Sequence, residues 1–157
     1  MRTVEKPWGK EIWWAHALDK YMGKILHIND GHKLSLQYHE QKDETIYVLE
    51  GKLLLVYSLP SGEIRERDML QGDSFRIHAG TLHRFCAADG DVTLLEVSTD
   101  FPEDVVRLED DYGRTPDTEG FDDDRDTEEM EICGEETSEV AREFLEAGMD
   151  NCPRRNL

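Results

Sequence analysis

The residues best placed to do chemistry lie in the stretch 31–51, where polar side chains interrupt two short apolar runs. Gln37 and His39 stand two positions apart in the first run, and alternate residues of a β-strand point to the same face of a sheet. Glu44 follows a short polar turn and opens the second run. If the two runs pair as an antiparallel hairpin, Glu44 turns back toward Gln37 and His39. An amide oxygen, an imidazole and a carboxylate then converge on one point.

A second histidine follows in the stretch 72–83, which contains a turn, a short strand-like run, a second turn and then His83. With Gln37, His39 and Glu44 it completes a mixed set of nitrogen and oxygen donors. Such a set suits Zn, Mn, Fe, Co or Ni and does not select one of these divalent ions. The alternative is that each residue is an ordinary polar side chain satisfied by hydrogen bonds. The spacing of all four residues favours the metal site.

These donors need strands to position them, and the sequence supplies short apolar or β-branched runs with turn signals between them. The aromatic run 11–14 is also typical of a strand. No helical crossover separates the runs, which disfavours a parallel α/β arrangement. The pattern therefore predicts an all-β sandwich or barrel. The predicted strands span residues 21–28, 34–39, 45–49, 52–59, 64–67, 74–77, 82–86 and 92–98.

The two polar stretches resemble the paired signature motifs of the cupin superfamily. The resemblance implies the cupin double-stranded β-helix, a jelly-roll barrel, which we assign to residues 1–116. His78 and Ala87 stand where the family usually has proline and asparagine, and we expect these changes to affect turn rigidity and local hydrogen bonding more than metal ligation. The matching residues are Gly31, His39, Glu44 and Gly51 in the first motif, with Gln37 at the position of a first histidine, and Gly72, Gly80 and His83 in the second.

A wider resemblance runs over residues 4–114, which look like the cupin domain of type II mannose-6-phosphate isomerases (phosphomannose isomerases). The resemblance implies a metal-dependent enzyme that interconverts an aldose phosphate and a ketose phosphate. Thr45 and Ile46 stand where that family usually has a His-Trp pair. The matching segments are Pro7-Trp8-Gly9, Leu34-Ser35-Leu36-Gln37 with His39, Gly80-Thr81-Leu82-His83-Arg84 and Asp110-Asp111-Tyr112-Gly113-Arg114.

Isomerisation of a sugar moves a proton between adjacent carbons, so it needs a base and an electrophile. Glu96 lies in an apolar run that suits a proton shuttle, and a metal-bound water is the other candidate base. The competing interpretation of Glu96 is an ion-pair partner for an interior lysine or arginine. Arg84 directly follows His83, so in a regular strand it points to the opposite face. It takes part in catalysis only if the strand is interrupted, and otherwise makes an exterior salt bridge.

A sugar-phosphate substrate also needs cations, and Lys24 and Lys33 are the lysines closest to the motifs. The isomerase is one of three functional interpretations. The second is a metal-dependent cupin enzyme of another class, such as a dioxygenase, which favours iron and an apolar pocket. The third is a non-catalytic module that binds carbohydrate or another small molecule. Because cupins commonly pair through their sheets, the resemblance also implies a homodimer.

The composition restricts the partners further. The chain has 157 residues and a net charge of −18, which disfavours nucleic acid and anionic membranes because phosphate binding needs clustered lysine and arginine. No apolar run is long enough to span a bilayer. Cys86, Cys133 and Cys152 are scattered and odd in number, so we expect reduced thiols in a cytoplasmic protein.

The C-terminal part differs in character from the rest. Residues 101–114 retain apolar anchors, and we expect them to pack on the barrel. Asp and Glu dominate residues 117–157, for which we predict an acidic, partly helical extension. Within it we expect disorder or loose packing over 117–134 and a short helix over 137–147. The extension is either a solvated tail or an arm that covers the site or clasps a second subunit.

Overall fold

The computed structural model describes residues 1–114 as eleven β-strands in two antiparallel sheets. The six-stranded sheet has the order β1-β2-β3-β10-β5-β8, and the five-stranded sheet has the order β11-β4-β9-β6-β7. No helix long and apolar enough to cross a bilayer is present among the described residues. The strands are β1 (Arg2–Lys6), β2 (Gly9–Ala17), β3 (Tyr21–Ile28), β4 (Leu36–Tyr38), β5 (Glu44–Glu50), β6 (Lys52–Ser58), β7 (Ile64–Leu70), β8 (Ser74–Ile77), β9 (His83–Cys86), β10 (Val92–Ser98) and β11 (Val106–Glu109).

The all-β prediction is confirmed, and each predicted strand has a counterpart in the structure. Two strands were not predicted. β1 is a charged edge strand whose sequence carries no apolar alternation, and β11 is a short strand that adds residues 106–109 to β4. β7 extends to Leu70 although most of its side chains are exposed charges, because it pairs along its whole length with β6. The predicted acidic extension 117–157 and the helix 137–147 lie outside the described residues.

The core lies between the two sheets, where alternate residues of each strand point inward. On β10, Leu94 and Glu96 are buried, whereas Val97 is 46% exposed. Leu53 and Leu55 of β6 approach the same core from the other sheet and are fully buried. Each apolar side chain buried in this way contributes about 1.5–3 kcal/mol to folding. The same alternation that buries the leucines also directs Glu96 into the interior.

The predicted hairpin between the two motif strands is wrong. β4 lies in the five-stranded sheet and pairs with β9 and β11, whereas β5 lies in the six-stranded sheet and pairs with β10 and β8. The chain therefore crosses from one sheet to the other over residues 39–43. Packed sheets are about 10 Å apart, a gap that so few residues can span. Glu44 consequently faces the five-stranded sheet across the interior of the sandwich.

Candidate metal centre and its cavity

Three of the predicted ligands meet between the sheets. One donor atom from each of His39, Glu44 and His83 lies within 4.8 Å of the other two, and all three residues are at most 2% exposed. His39 follows β4 and His83 begins β9, so both come from the five-stranded sheet, while Glu44 begins β5. Nε2 of His83 lies 3.2 Å from Oε1 of Glu44, and Nε2 of His39 lies 3.6 Å from Oε2. The two imidazoles and the carboxylate thus converge although the hairpin does not form.

The hydrogen bonds of the two rings determine which nitrogen faces Glu44. Nδ1 of His83 donates to the carbonyl oxygen of Thr81 at 2.9 Å, and Nδ1 of His39 donates to the carbonyl oxygen of Asp104. A carbonyl oxygen can only accept, so each Nδ1 carries the proton and each Nε2 is left with a lone pair. An imidazole that binds a metal through Nε2 is usually oriented by such a bond from its other nitrogen.

The atoms that face one another are not satisfied by the part of the chain that the structure describes. Nε2 of His39, Nε2 of His83 and Oε1 of Glu44 are buried and have no hydrogen-bond partner of acceptable geometry, even though His83 and Glu44 are close. Buried polar atoms are nearly always paired, and three unpaired lone-pair donors around one point are the arrangement that a cation satisfies. Two imidazoles and one carboxylate fit Zn, Mn, Fe, Co or Ni. The residues present therefore suit a divalent metal ion.

Gln37, the fourth predicted ligand, lies beside this cluster. It is the register partner of His83 across β4 and β9, and it lines the cavity described below. Its Oε1 accepts a hydrogen bond from Ser35 at 2.7 Å. The structure thus places the amide next to the three clustered donors, with its oxygen directed toward Ser35.

Burial and neighbouring charge keep the cluster in a form that can bind a metal. Burial, with Lys42 and His83 assisting, lowers the pKa of His39 to about 4, against the opposing effect of Glu44. Burial alone would raise the pKa of Glu44, but the charge of Lys42 and the contacts with His83 and His39 outweigh it and hold that pKa well below its usual value. At neutral pH His39 is therefore neutral and Glu44 is ionised, the states in which both act as ligands.

Lys42 is the main site residue that the sequence analysis missed. Its side chain is 6% exposed, and its Nζ lies 2.5 Å from Oε2 of Glu44 and 3.2 Å from Oε1 of Glu96. Burial opposes its charge, but the two carboxylates outweigh burial and raise the pKa of Lys42. The ion pair with an interior lysine, one of the two interpretations of Glu96, is thus present, and Glu96 also lines the cavity. Lys42 precedes Glu44 by two positions, the same spacing that pointed to Gln37 and His39.

Asp104 holds the crossing segment in place. Its carboxylate accepts hydrogen bonds from the backbone N–H groups of Glu40, Gln41 and Lys42 at 2.7–2.9 Å, while its own carbonyl oxygen accepts from His39. Burial would raise the pKa of Asp104, but the three backbone donors outweigh it and lower that pKa. Asp104, which lies between β10 and β11, therefore fixes both a candidate ligand and the segment that carries Lys42.

A cavity of about 130 Å³ opens beside the cluster. It reaches the cluster through Gln37 and Glu44, whereas the rings of His39 and His83 are not part of its lining. Lys24, a predicted substrate-binding residue, lies in its wall, with its Nζ 3.9 Å from Glu11. The lining residues are Arg2, Val4, Lys6, Trp8, Glu11, Trp13, Lys24, Leu26, Leu34, Ser35, Gln37, Lys42, Glu44, Phe85, Glu96, Pro102, Val105, Arg107 and Arg114.

The structure does not bring Lys33 or Arg84 into this cavity. Lys33 is buried with its Nζ 3.4 Å from the carboxylate of Asp111. Arg84 lies in the uninterrupted strand β9, and its guanidinium lies 3.3 Å from the carboxylate of Glu109. Because alternate residues of β9 point to opposite faces, His83 faces the cluster and Arg84 does not. Both cations instead hold the C-terminal segment of the described chain against the five-stranded sheet.

Comparison with known proteins agrees with this architecture. Residues 24–98 match the family described as "Cupin domain". A sugar phosphate isomerase of the cupin superfamily from Silicibacter pomeroyi is 30% identical, with a TM-score of 0.50 over 59% of this chain and 60% of that chain. KdgF from Halomonas sp. is 19% identical, with a TM-score of 0.57 over 66% of this chain and 92% of that chain. The oxalate decarboxylase of Lactobacillus farciminis is 19% identical, with a TM-score of 0.58 over 68% of this chain and 33% of that chain.

These similarities differ in what they establish. The likenesses to KdgF and oxalate decarboxylase, both under 25% identity, show the fold alone. This chain spans about a third of the oxalate decarboxylase and 60% of the sugar phosphate isomerase. No sequence among the curated proteins matches the chain. The family match covers residues 24–98, just under half of the chain, and these residues lie within the two antiparallel sheets that enclose the cluster.

Proposed function

We propose that the protein is a metal-dependent sugar-phosphate isomerase that resembles type II mannose-6-phosphate isomerases. The observation that carries this proposal is the convergence of His39, Glu44 and His83 on one point beside a cavity that also exposes Glu96. The identity of 30% to the sugar phosphate isomerase from Silicibacter pomeroyi supports the choice of reaction. The metal ion would be held by these three residues, with Gln37 beside them.

When bound, the metal ion would supply a Lewis acid for the carbonyl and hydroxyl oxygens of the sugar. The chain itself supplies the groups that handle the proton. Glu96 is 3% exposed and lines the cavity, so its carboxylate is shielded from bulk water and can take a proton from one carbon and return it to the next. Lys42 retains its own proton, donates a hydrogen bond to Glu96 and thereby fixes the orientation of that carboxylate.

The test combines metal analysis with an isomerase assay on mannose 6-phosphate in deuterated water. We expect a stoichiometric divalent metal, deuterium incorporation into the sugar and loss of turnover with a chelator. Glu96→Gln should lower kcat about 10²- to 10⁴-fold because it removes the base. Glu63→Gln is the matched control, because Glu63 lies on the surface and is not part of the cavity lining. Turnover that survives chelation, or that Glu96→Gln leaves intact, contradicts the proposal.

One observation favours a second function, a non-catalytic module that binds carbohydrate or another small molecule. Lys42 joins Glu44 and Glu96 in a buried ion-pair network. Such a network stabilises the fold even if none of its residues takes part in a reaction. A metal-dependent enzyme of another class, such as a dioxygenase, uses the same fold. Thermal-shift measurements with sugars and sugar phosphates, read beside the isomerase assay, separate the binding module from the isomerase: ligands that bind the folded state raise the Tm, and a rise without turnover identifies the binding module.

We also propose that the protein is a homodimer of the cytoplasm. The outer face of the six-stranded sheet carries an apolar row across three strands, formed by Ile25, Leu95 and Tyr47. Trp14 and Val97 on the same sheet are 45% and 46% exposed. An apolar surface of this kind favours association between copies of the chain. Cys86 is a buried thiol, which agrees with a reducing compartment.

The dimer is tested by analytical ultracentrifugation. Val97→Glu should shift the protein toward monomer because it places a charge in the apolar face. Leu70→Glu is the control, since Leu70 is even more exposed but belongs to the five-stranded sheet. A monomeric parent protein, or an equal shift in both variants, contradicts the interface.

A further inference from the structure

The two sheets differ in how their outer faces are covered. On the six-stranded sheet, Trp14 and Val97 point away from the core and are 45% and 46% exposed. On the five-stranded sheet, Leu36, Val56 and Leu82 also point away from the core, but they are at most 7% exposed. All eleven described strands belong to one sheet or the other, so none of them forms a third layer over these side chains. An apolar surface of this kind favours a covering element from outside the two sheets.

Strand alternation and register define this surface. On β6, Leu55 faces the core, so Val56 faces outward. Val56 pairs with Arg84 of β9, and the register of β4 with β9 places Leu36 on the other side of Arg84. Two side-chain clusters extend the surface toward β7 and β11. We define the outer apolar face as Leu36, Val56, Ile64, Leu82 and Leu108, with Arg84 among them.

Arg84 brings a charge into this apolar surface. Its side chain is 3% exposed, and its Nη2 lies 3.3 Å from Oε1 and 3.4 Å from the carbonyl oxygen of Glu109. Its Nε is buried and has no hydrogen-bond partner among residues 1–114. Buried donors are normally paired, and a buried cation is stabilised by further acceptors. The face therefore suits an occupant that combines apolar side chains with carboxylates.

The rest of the chain begins beside this face. Arg114 is the last described residue, and ion pairs to Lys33 and Arg84 hold the segment before it against the five-stranded sheet. Residues 115–157 contain 15 acids, four arginines and no lysine. They carry more than half of the net negative charge of the chain in about a quarter of its length. The sequence that continues from the edge of the face is thus rich in the carboxylates that Arg84 attracts.

The stretch 137–147 adds the apolar part. In the helix predicted there, Val140 and Phe144 are four positions apart and share one side. An isolated helix of 11 residues is marginal in water, so it needs a surface on which to bury that side. Helical spacing also places a row of acids next to the apolar row. These acids are Glu139, Glu143 and Glu146.

We propose that residues 137–147 form an amphipathic helix that binds the outer apolar face of the same chain, with its acids beside Arg84. A helix with its side chains is about 10–12 Å wide, and three strands at a spacing of about 4.8 Å span about 10 Å. One helix therefore covers the row from Leu36 through Arg84 to Val56. The proposal does not depend on the isomerase, and it leaves the outer face of the six-stranded sheet for a second copy of the chain.

Helix binding also affects the strand that borders the cavity. Leu108 of β11 belongs to the outer apolar face, whereas Arg107 lines the cavity on the opposite side of the same strand. Among the described strands, β11 pairs with β4 alone and has only four residues. The helix thus holds a short edge strand in place from outside, and the amides of β11 report its presence.

The test is hydrogen–deuterium exchange of the full-length protein, read by mass spectrometry. Amides of residues 137–147 should exchange at least about tenfold more slowly than in an unstructured peptide. Phe144→Asp and Ile64→Asp, one on each partner of the contact, should each abolish that protection. Val97→Asp makes the same kind of change on the outer face of the other sheet and should keep it. Phe121→Asp, which removes a phenyl ring outside the predicted helix, is the control for Phe144→Asp.

Phe144→Asp changes no residue of either sheet, so it remains informative if Ile64→Asp unfolds the protein. Exchange of β11 should become at least about tenfold faster in Phe144→Asp and should not change in Phe121→Asp. An unprotected stretch 137–147 in the parent protein, protection that survives in folded Ile64→Asp, or an equal loss in Val97→Asp would each overturn the proposal.

A mixture of the two variants distinguishes binding within one chain from exchange between chains. Phe144→Asp retains an intact face and Ile64→Asp retains an intact stretch 137–147, so binding between chains restores protection on mixing. We expect no restoration. Protection that returns in the mixture would assign the face to the extension of a second copy and reject binding within the same chain.

Discussion

The two ends of the cavity are built in different ways. At one end, His39 and His83 are oriented by hydrogen bonds to backbone carbonyl oxygens, and they meet Glu44 in a space that is almost closed to solvent. At the other end, Arg2 and Lys24 flank the ring of Trp13, and Lys6 and Lys24 lie beside Glu11; we call these five residues the cationic wall. Its cations are long side chains on regular strands, and strand register places them. The cluster is therefore rigid and specific in its donor atoms, whereas the wall is adaptable and acts mainly through charge.

The two ends of the cavity therefore suit two different tasks, metal binding at the cluster and anion binding at the wall. The cluster offers a metal ion donor atoms that have no hydrogen-bond partner among residues 1–114. The cations of the wall contact Glu11 and Trp13 through the charged ends of long side chains, and we expect these ends to turn toward a bound anion. We therefore expect changes at the cluster to act on metal affinity and stability, and changes at the wall to act on ligand affinity alone.

The largest expected effect comes from Glu44→Gln. This change removes the only carboxylate of the cluster and one of the two partners of the buried Lys42. Metal affinity should fall by about three orders of magnitude, and the free energy of unfolding of the metal-free protein should fall by about 3 kcal/mol. Metal content after dialysis and urea unfolding measure the two effects. Full metal occupancy in the variant would show that Glu44 is not a ligand.

The pH dependence of stability tests the same cluster through His39. Its pKa is lowered from 6.5 to about 4 in the folded protein, so between those values the unfolded chain binds the extra proton. Stability of the metal-free protein is then full above about pH 6.5 and is lost as the pH falls toward 4, by about 3 kcal/mol at most. Ionised Glu44 and Asp104, whose pKa values are lowered, lose their contributions at still lower pH.

The contribution of His39 is isolated by comparing urea unfolding of the parent protein and His39→Gln from pH 4.5 to 7.5. The slope of unfolding free energy against pH should be shallower in the variant, because glutamine does not titrate. Exposed His78→Gln is the control and should keep the slope of the parent protein. Identical slopes in all three proteins would mean that burial does not depress the pKa of His39.

Asp104→Asn tests whether the rigidity of the cluster comes from its backbone hydrogen bonds. Asparagine keeps the size of the side chain but replaces a carboxylate that accepts from three backbone N–H groups of residues 40–42. Metal affinity should fall about 10- to 100-fold, the range seen when groups that orient ligands are changed. Competition with a chelating dye measures the affinity. Asp68→Asn, which alters a surface ion pair with Lys52, should have no effect, and equal affinity in both variants would assign the orientation of His39 to other contacts.

The residues of the cluster were easier to predict from the sequence than those of the wall. The donors of the cluster lie in two short motifs, and alternation along each strand is enough to direct His39 and His83 inward. The hairpin prediction failed because a polar turn of a few residues does not specify which sheet the next strand joins. Lys42 was missed because a lysine in such a turn is normally solvated, and only the two facing carboxylates explain its burial.

The wall was largely beyond sequence analysis for a different reason. Lys24 was predicted from its position near the motifs, but Arg2 and Trp13 join it only through strand pairing that the sequence does not display. β1 has the charged sequence of an exposed edge strand, and its register with β2 decides which of its side chains face the cavity. Conversely, Lys33 lies near a motif in sequence and still pairs outside the cavity with Asp111.

The smallest expected effect is a change in ligand affinity at the cationic wall. Glu11→Gln removes the only acid of the cationic wall while leaving an oxygen that can accept from Nε1 of Trp13. The affinity of the metal-free protein for mannose 6-phosphate should rise about threefold, since one repulsive charge is lost in a partly solvated site. Metal affinity should not change, because Glu11 is not among the donors of the cluster.

The matched control is Glu5→Gln, since Glu5 lies on the neighbouring strand β1, is exposed and is not part of the cavity lining. Calorimetry at low and high salt distinguishes a local effect from a general reduction of negative charge. A gain confined to Glu11→Gln, and reduced by salt, agrees with an anion held against the wall. An equal gain in Glu5→Gln would mean that overall charge sets the affinity, and the distinction between a rigid cluster and an adaptable wall would then lose its electrostatic basis.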